Sequence, residues 1–486
     1  MTAVADLTNL AAAVRCPVLL PGQPGYDIHR RVWNADIDRH PAAIVRCSSA
    51  ADVSDALRWC ADAGLPITVR GGGHNLAGSA VVDDAVMIDT SPMRSVSFDT
   101  DAGTVTVGAG CTWGDVDRPA AELGVAVPAG VVSHTGVAGL TLGGGFGYLA
   151  RLLGATVDHL AELEVVLADG RVLRISENSH PELFWAMKGA GHNYAVATEF
   201  VFRYAKLPGL ATVRQEIYGE ADRLAVLRAF RDNSLDLPRT VTAYLRLFRC
   251  PPYWSQLPAA HRDRPVLSLA TVHYGDPADE PDRSAPMFGH AKPVYSALRS
   301  IPHVTLQHAT DDEFRHGLAH YWKHAFLSEL SDDALRTAIE WADRYPGRPL
   351  NASAHISHQV MCPFEMISGS RAPRDSTRDS TAGVGAPFSA NIGADWEFPE
   401  EKAELVAWAR AFNEAMLPYQ HGTYINFTSV QGDTDLARAV YGAKYERLVR
   451  VKHDYDPGNV FRRGLVDLSE YGDPEGPLES APPAGG

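Results

Sequence analysis

Apolar and polar positions along the chain follow two rhythms, and the change between them divides it. Between about residues 40 and 110, short apolar runs of strand length alternate with one helical stretch. AAIVRC (42–47) and ITVRGGG (67–73) read as strands. The segment 49–64 between them repeats its apolar residues at helical spacing, with Ser48 or Ser49 as cap and Gly64 as stop. The result is a β-α-β unit. AVMIDTS (85–91) and TVTVGAG (104–110) continue as strands, and 112–124 reads as a second helix ending at Gly124. A loop dense in glycine, 127–147, follows. Residues 160–176 then read as two strands joined by an Asp-Gly turn. Beyond Pro208-Gly209 glycine thins out. DRLAVLRAFRDN (222–233) and ALRTAIEWADRY (334–345) have helical spacing, whereas SLATVHYGD (268–276) and ASAHISHQVM (352–361) read as longer strands. This half is expected to be an antiparallel sheet with helices on one side.

A length of 486 residues implies two or three domains, and 45% hydrophobic residues allow a sizeable core. The formal net charge of −15 argues against nucleic acid or an anionic membrane as partner. The N-terminus lacks signal-peptide features and no apolar run approaches the roughly 20 residues that span a bilayer, so a cytoplasmic protein is the expectation. The six cysteines, Cys16, Cys47, Cys60, Cys111, Cys250 and Cys362, show no CxxC spacing. They read mostly as buried thiols in a reducing compartment, and no metal site is expected. The polar stretch 368–387 reads as a mobile loop, and the tail 473–486 as disordered.

Two segments carry more glycine than turns require. VRGGGHN (69–75) sets Gly71, Gly72 and Gly73 directly before His74, and Gly143, Gly144, Gly145 and Gly147 close the second loop. Bare backbone lets successive N–H groups approach a large phosphate-bearing ligand. None of the glycine clusters, Gly108-Ala-Gly110 and Gly189-Ala-Gly191 included, completes the dinucleotide fingerprint of a strand, G-x-G-x-x-G and a helix, which disfavours a conventional pyridine-nucleotide dehydrogenase.

Four segments together resemble the berberine bridge enzyme-like oxidases, flavin-linked members of the p-cresol methylhydroxylase (PCMH)/vanillyl-alcohol oxidase superfamily. They are 69–93, 130–160, 182–200 and YINF (424–427) with 441–461. The resemblance implies an α+β fold. A PCMH-type FAD-binding domain of two α/β subdomains (1–207) is followed by a substrate domain with an antiparallel β-sheet flanked by helices (208–420). A berberine-bridge-type C-terminal segment (421–472) returns to the first domain. It further implies FAD bonded covalently through its 8α-methyl carbon to His74. Arg70, Asn75, Gly78, Ser133, His134, Gly139, Asn193, Tyr194 and Val196 join the glycines as cofactor-binding candidates. The cysteine that carries a second flavin bond in many relatives is replaced here by Val132, and Cys111 lies 21 residues too early, so the chain looks like the singly linked, mostly bacterial branch. Thr135, at the position said to govern oxygen access, is small and polar. Its other role would be to cap a backbone amide. Lys188, Ala190 and Ala195 depart from the family's WALRGGGGNFG pattern.

The resemblance assigns Tyr424 as catalytic base or proton relay, with Asn426 as its orienting partner; strand alternation would place both on one face. A base role requires neighbours to lower the tyrosine pKa from about 10. His355, His358, Asn391, Asp395 and Trp396 are further candidates, Trp396 for packing. Tyr455, Asp456, Pro457, Asn459 and Phe461 are assigned to structure and cofactor support. The expected reaction is hydride transfer from a small organic substrate, such as a polyketide, alkaloid or sugar-bearing natural product, to FAD. O2 then reoxidises the flavin with release of hydrogen peroxide. Two alternatives are a flavin dehydrogenase with another acceptor and a ligand-sequestering protein with a degenerate flavin site.

Overall fold

The computed structural model describes residues 7, 9–347, 364–368 (backbone only), 386–429, 434–462, 466, 468 and 469. His355, His358, Cys362, nearly all of the 368–387 stretch and the 473–486 tail lie outside them, as does the whole of the strand expected at 352–361.

The first sheet holds β1 (Val18–Leu19), β2 (Ala43–Arg46), β3 (Ile67–Arg70) and β4 (Val86–Asp89), in the order β1-β2-β4-β3. β2, β4 and β3 run parallel and β1 lies antiparallel on the edge. The crossover helix is Ala50–Ala63. Its first turn is capped by Ser49, whose hydroxyl accepts the Asp52 N–H at 3.2 Å, and it stops at Gly64 with φ +65°. Val53, Ala56, Leu57 and Cys60 form its buried stripe, each contact removing apolar area worth about 25 cal/mol per Å².

A second, antiparallel sheet follows: β5 (Val96–Asp99), β6 (Thr104–Gly108), β8 (Leu160–Val166), β9 (Val172–Ser176) and β10 (Val196–Arg203), in the order β5-β6-β10-β8-β9. Before β8, the short β7 (Val125–Ala126) pairs with the later β11 (Ala205–Lys206). The helix Trp113–Glu122 packs beneath. Its Thr112 hydroxyl and backbone N–H both bond Asp115, and Gly124 turns the chain at φ +66°. The glycine-dense stretch 127–147 is not all loop, because Val137–Leu142 forms a short helix.

The third sheet holds β12 (Leu210–Tyr218), β13 (Val241–Arg249), β14 (Pro265–Gly275), β15 (Tyr295–Ile301), β16 (Ala319–Leu327), β17 (Phe364–Ser368), β18 (Phe388–Trp396) and β19 (Gln420–Gly422). It is antiparallel, in the order β15-β12-β14-β13-β17-β18-β16-β19. Helices Arg223–Asn233, Asp332–Asp343 and Lys402–Met416 cover one face, where Phe230, Leu245, Leu335, Phe412 and Trp396 share a core. The other face is left for the N-terminal half.

The chain then returns. Helix Tyr445–Tyr455 packs its Leu448 and Val449 into the core of the first half, and the buried Tyr194 hydroxyl donates to Leu448 O at 3.0 Å. Lys452 Nζ donates to Asn193 O at 2.7 Å and Asp456 Oδ2 at 2.6 Å. Asp456 in turn accepts the N–H groups of Val460 and Phe461, each at 2.9 Å. This buried ion pair has its remaining hydrogen-bonding capacity satisfied, as such pairs require. Among the described residues no helix is long and apolar enough to cross a membrane.

Candidate active site

The two halves enclose a cavity with about 1410 Å³ of empty space, its mouth included. One wall is mostly backbone, the other mostly side chains.

The backbone wall begins where β3 ends. Gly71, Gly72, Gly73, His74 and Asn75 line it, together with Gly130, Val132, Thr135, Gly136, Gly139 and Gly147. Gly139 faces open space: a Cβ there would have no neighbour within 4 Å, so the bare helix surface is itself the wall. Gly72 has a different reason. A Cβ on it would lie 2.4 Å from the Cα of Gly136, so the two motif loops touch through backbone alone. Gly73 and Gly78 are in the left-handed region, at φ +67° and +68°. The Asn75 carboxamide accepts the Ser79 N–H and hydroxyl and holds this turn.

His74 is stacked on Trp33 at 4.1 Å between centroids, and Trp33 stacks on His320 at 3.9 Å. The Trp33 N–H donates to Gly73 O at 2.9 Å and its indole N–H to Phe314 O at 2.6 Å, so this ring joins the halves. The His74 Nε2 lies 3.1 Å from Nδ1 of His134. Burial holds the His74 pKa well below its ordinary value, and the nearby imidazoles of His134, His316 and His320 add to this. The ring is neutral at pH 7 and therefore nucleophilic.

The side-chain wall comes from β16, β18 and the segment after β19. Trp322, Ser389 and Asn391 face the cavity with Tyr424, Asn426 and Phe427. The Tyr424 hydroxyl accepts the Gly145 N–H at 2.8 Å and the Asn426 amide at 2.9 Å. Asn426 also donates to Leu140 O at 3.1 Å. The pair therefore meets, but through a short 3₁₀ turn, Ile425–Phe427, and not through strand alternation. The turn forms because the Phe427 N–H bonds Tyr424 O at 3.1 Å. The condition for a base role is not met either. Desolvation raises the Tyr424 pKa, outweighing the two hydrogen bonds that lower it. With both acceptor positions filled, its O–H is a donor.

His324 supports this wall. Its Nδ1 accepts the Tyr424 N–H at 3.0 Å, which fixes the proton on Nε2, 2.7 Å from Ser389 Oγ. Burial takes its pKa down to about 3. Asp395 Oδ1 holds His320 Nδ1 at 2.5 Å and the Trp322 indole N–H at 2.7 Å, while Trp396 packs in the helix-covered core.

Apart from Thr135, the remaining candidates sit behind the walls. Asn426 occupies the place a Gly143 Cβ would need, at 2.1 Å, and Thr156 and Leu140 would meet one on Gly145. Gly144 has φ +118° and its carbonyl accepts the Val157 N–H. Ser133 is held by Asp311, from its N–H at 2.8 Å and its hydroxyl at 2.6 Å. Thr135 lines the cavity, while its carbonyl accepts the Trp113 N–H at 3.0 Å. Arg70 points to His29 O at 2.8 Å. Asn193 and Tyr194 bond the returning helix, and Val196 opens β10 opposite Val166. In the WALRGGGGNFG-like segment, Lys188 and Gly189 break the helix, Gly189 at φ +131°, and the Tyr441 hydroxyl donates to Gly189 O at 3.3 Å. Trp33, Phe314, His316, His320, Trp322, His324 and Ser389 were not among the sequence candidates. No motif marks them; only strand alternation around Trp322, His324 and Ser389 could have.

Backbone wall, stacked imidazole and apposed tyrosine describe a flavin-binding oxidoreductase. An FAD binding domain model matches residues 41–176, and a model described as "Berberine and berberine like" matches residues 423–464. The FAD-linked oxidoreductase hasG of Aspergillus fumigatus is 33% identical over 483 residues, covering 95% of this chain and 98% of that protein. (R)-6-hydroxynicotine oxidase of Paenarthrobacter nicotinovorans is 28% identical over 458 residues, covering 93% and 96%. The crystal structure of 6-hydroxy-D-nicotine oxidase from Arthrobacter nicotinovorans superposes with a TM-score of 0.81 at 23% identity, covering 93% of this chain and 97% of that one. The chain belongs to the berberine bridge enzyme-like family of FAD-linked oxidoreductases and is an FAD-dependent oxidoreductase. The bare wall at Gly139 and the buried Oδ1 of Asn391, which has no hydrogen-bond partner and lines the same cavity, fit a large cofactor at this place.

Proposed function

We propose that this chain is an oxidase that holds FAD through a single covalent bond to His74 and takes a hydride from a carbon beside a heteroatom in a small organic substrate. Bound FAD supplies the hydride acceptor, and dioxygen takes the electrons on, leaving as hydrogen peroxide. The observation that carries this reading is that His74, at the end of the first glycine run, and Tyr424, bonded to the second, line one cavity. His74 is neutral, stacked and unable to turn away, which suits a nucleophile toward a flavin methyl carbon. Val132 offers no sulfur for a second bond.

Tyr424 acts as a neutral hydrogen-bond donor and proton relay, with Asn426 and the Gly145 amide fixing its oxygen. Ser389, whose oxygen accepts from His324, keeps its own proton for a substrate heteroatom. Trp322 and Phe427 exclude water from that side. Thr135 leaves the oxygen path open by its size. The relative (R)-6-hydroxynicotine oxidase favours an amine- or hydroxyl-bearing substrate of similar scale.

The test is acid precipitation of the purified protein. Flavin absorbance stays with the wild-type pellet and passes to the supernatant for His74→Ala, and turnover releases one peroxide per substrate in an oxygen-electrode assay. Complete release of the chromophore from wild type overturns the tether; reduction by substrate that persists in air overturns the oxidase reading.

A further inference from the structure

The N-terminal segment carries a feature that the flavin site does not use. β1 pairs antiparallel with β2, with Val18 opposite Val45 and Leu19 opposite Ile44. One rung further back, the Arg46 N–H donates to Pro17 O at 2.9 Å. Proline has no N–H to return, so Pro17–Arg46 is a hydrogen-bonded rung with one bond missing. The strand itself ends at Val18, and its register continued by two residues sets Cys16 opposite Cys47 at a non-hydrogen-bonded position. At such rungs the Cα atoms stand about 4.5 Å apart and the side chains are closest. That separation lies within the roughly 4.4–6.8 Å a disulfide spans. The Cys47 N–H is turned to the other neighbour, Asp89 O, at 2.9 Å, as this register demands.

The two thiols also differ usefully. Cys47 is buried, whereas Cys16 is partly exposed. The Cys47 thiol donates to Val45 O at 3.7 Å, and its proximity lowers the Cys16 pKa, against burial and the carboxylates of Asp52 and Asp55, while the same interaction and burial raise that of Cys47. Burial likewise raises Cys60 to about 12 and Cys111 and Cys250 to about 11. Cys16 is therefore the reachable, activated sulfur and Cys47 the resolving one.

We propose that Cys16 and Cys47 are a peroxide-responsive pair that closes into a cross-strand disulfide on the edge of the first sheet. The Cys16 thiol attacks hydrogen peroxide, giving a sulfenic acid and one water. The Cys47 thiol then displaces its hydroxyl, giving the disulfide and a second water. Two thiols lose two electrons and two protons to one peroxide. Turnover would supply that oxidant, and in this respect alone the inference rests on the oxidase reading. The link would fasten the segment bearing the buried Leu10 and Val14 to the sheet whose β3 leads into His74.

The experiment treats reduced holoenzyme with a few-fold excess of added hydrogen peroxide, followed by denaturing alkylation and non-reducing peptide mapping. The expected result is two fewer alkylated thiols, a mass loss of about 2 Da, a Cys16–Cys47 linked peptide and a thermal midpoint raised by about 5 °C, all reversed by dithiothreitol. In Cys47→Ser, dimedone labels Cys16. An unchanged thiol count, or Cys16 driven to sulfonic acid without the linked peptide, overturns the proposal and leaves the oxidase reading intact. A link that forms with added peroxide but not during substrate turnover upholds the pair and counts against the oxidase reading.

Discussion

The two walls of the cavity are built by opposite means. On one side the chain exposes main chain, and the residues that matter are those lacking a side chain. On the other a sheet face presents Trp322, Ser389 and Asn391, with Tyr424 beside them. Where backbone meets backbone, as at Gly72, no added carbon is tolerated, whereas a side-chain wall can be altered one group at a time. The first fits what every substrate would share, the cofactor; the second can be refitted to a particular molecule without disturbing it.

Gly72→Ala is the strongest attack on this contrast. Its Cβ would meet the Gly136 backbone, which cannot move aside, so the two motif loops separate. The expected outcome is protein purified with less than about a tenth of the wild-type flavin, read from the absorbance ratio. A full complement of flavin would refute the contact's importance. Tyr424→Phe attacks the other wall. It should retain flavin but slow its reduction by substrate about 100-fold in stopped-flow, the cost of a lost proton relay. Unchanged reduction removes Tyr424 from the chemistry.

The seam between the regions gives the smallest effect. Asp117, on the helix below the first wall, is buried and accepts from Gln307 of the other half at 3.3 Å. Desolvation raises its pKa to about 7, with Asp311 adding to this and Gln307 opposing. A carboxyl whose pKa rises on folding contributes its stability while protonated and loses it as pH climbs from its unfolded value towards about 7. Asp117→Asn should therefore match wild type at pH 4 and melt about 3 °C higher at pH 8. Equal midpoints at both pH values would show that the carboxyl is not desolvated.

The same contrast explains what could be read before the structure. Helix Ala50–Ala63, the strands around it and the Asp-Gly turn between β8 and β9 follow from local spacing and caps. The backbone wall was legible because bare glycine beside histidine has few structural reasons to exist. Even there, the reason for Gly72 and Gly143 was another part of the protein. The side-chain wall was not legible, since strand residues facing a ligand alternate just as strand residues facing a core do. Trp33 meets His74 across 41 positions and His320 across 287, which leaves no local pattern. The 3₁₀ turn at Ile425–Phe427 escaped because Tyr-x-Asn satisfies strand periodicity equally well.

Asn426 fills the space over Gly143, and Tyr424 caps the amide of Gly145, so the glycine wall is finished by residues more than 275 positions downstream. On the ribosome, the first half must therefore wait with this corner incomplete until nearly the whole polypeptide has emerged. Capture of the flavin is for this reason an event of chain completion, and truncated translation products would be colourless.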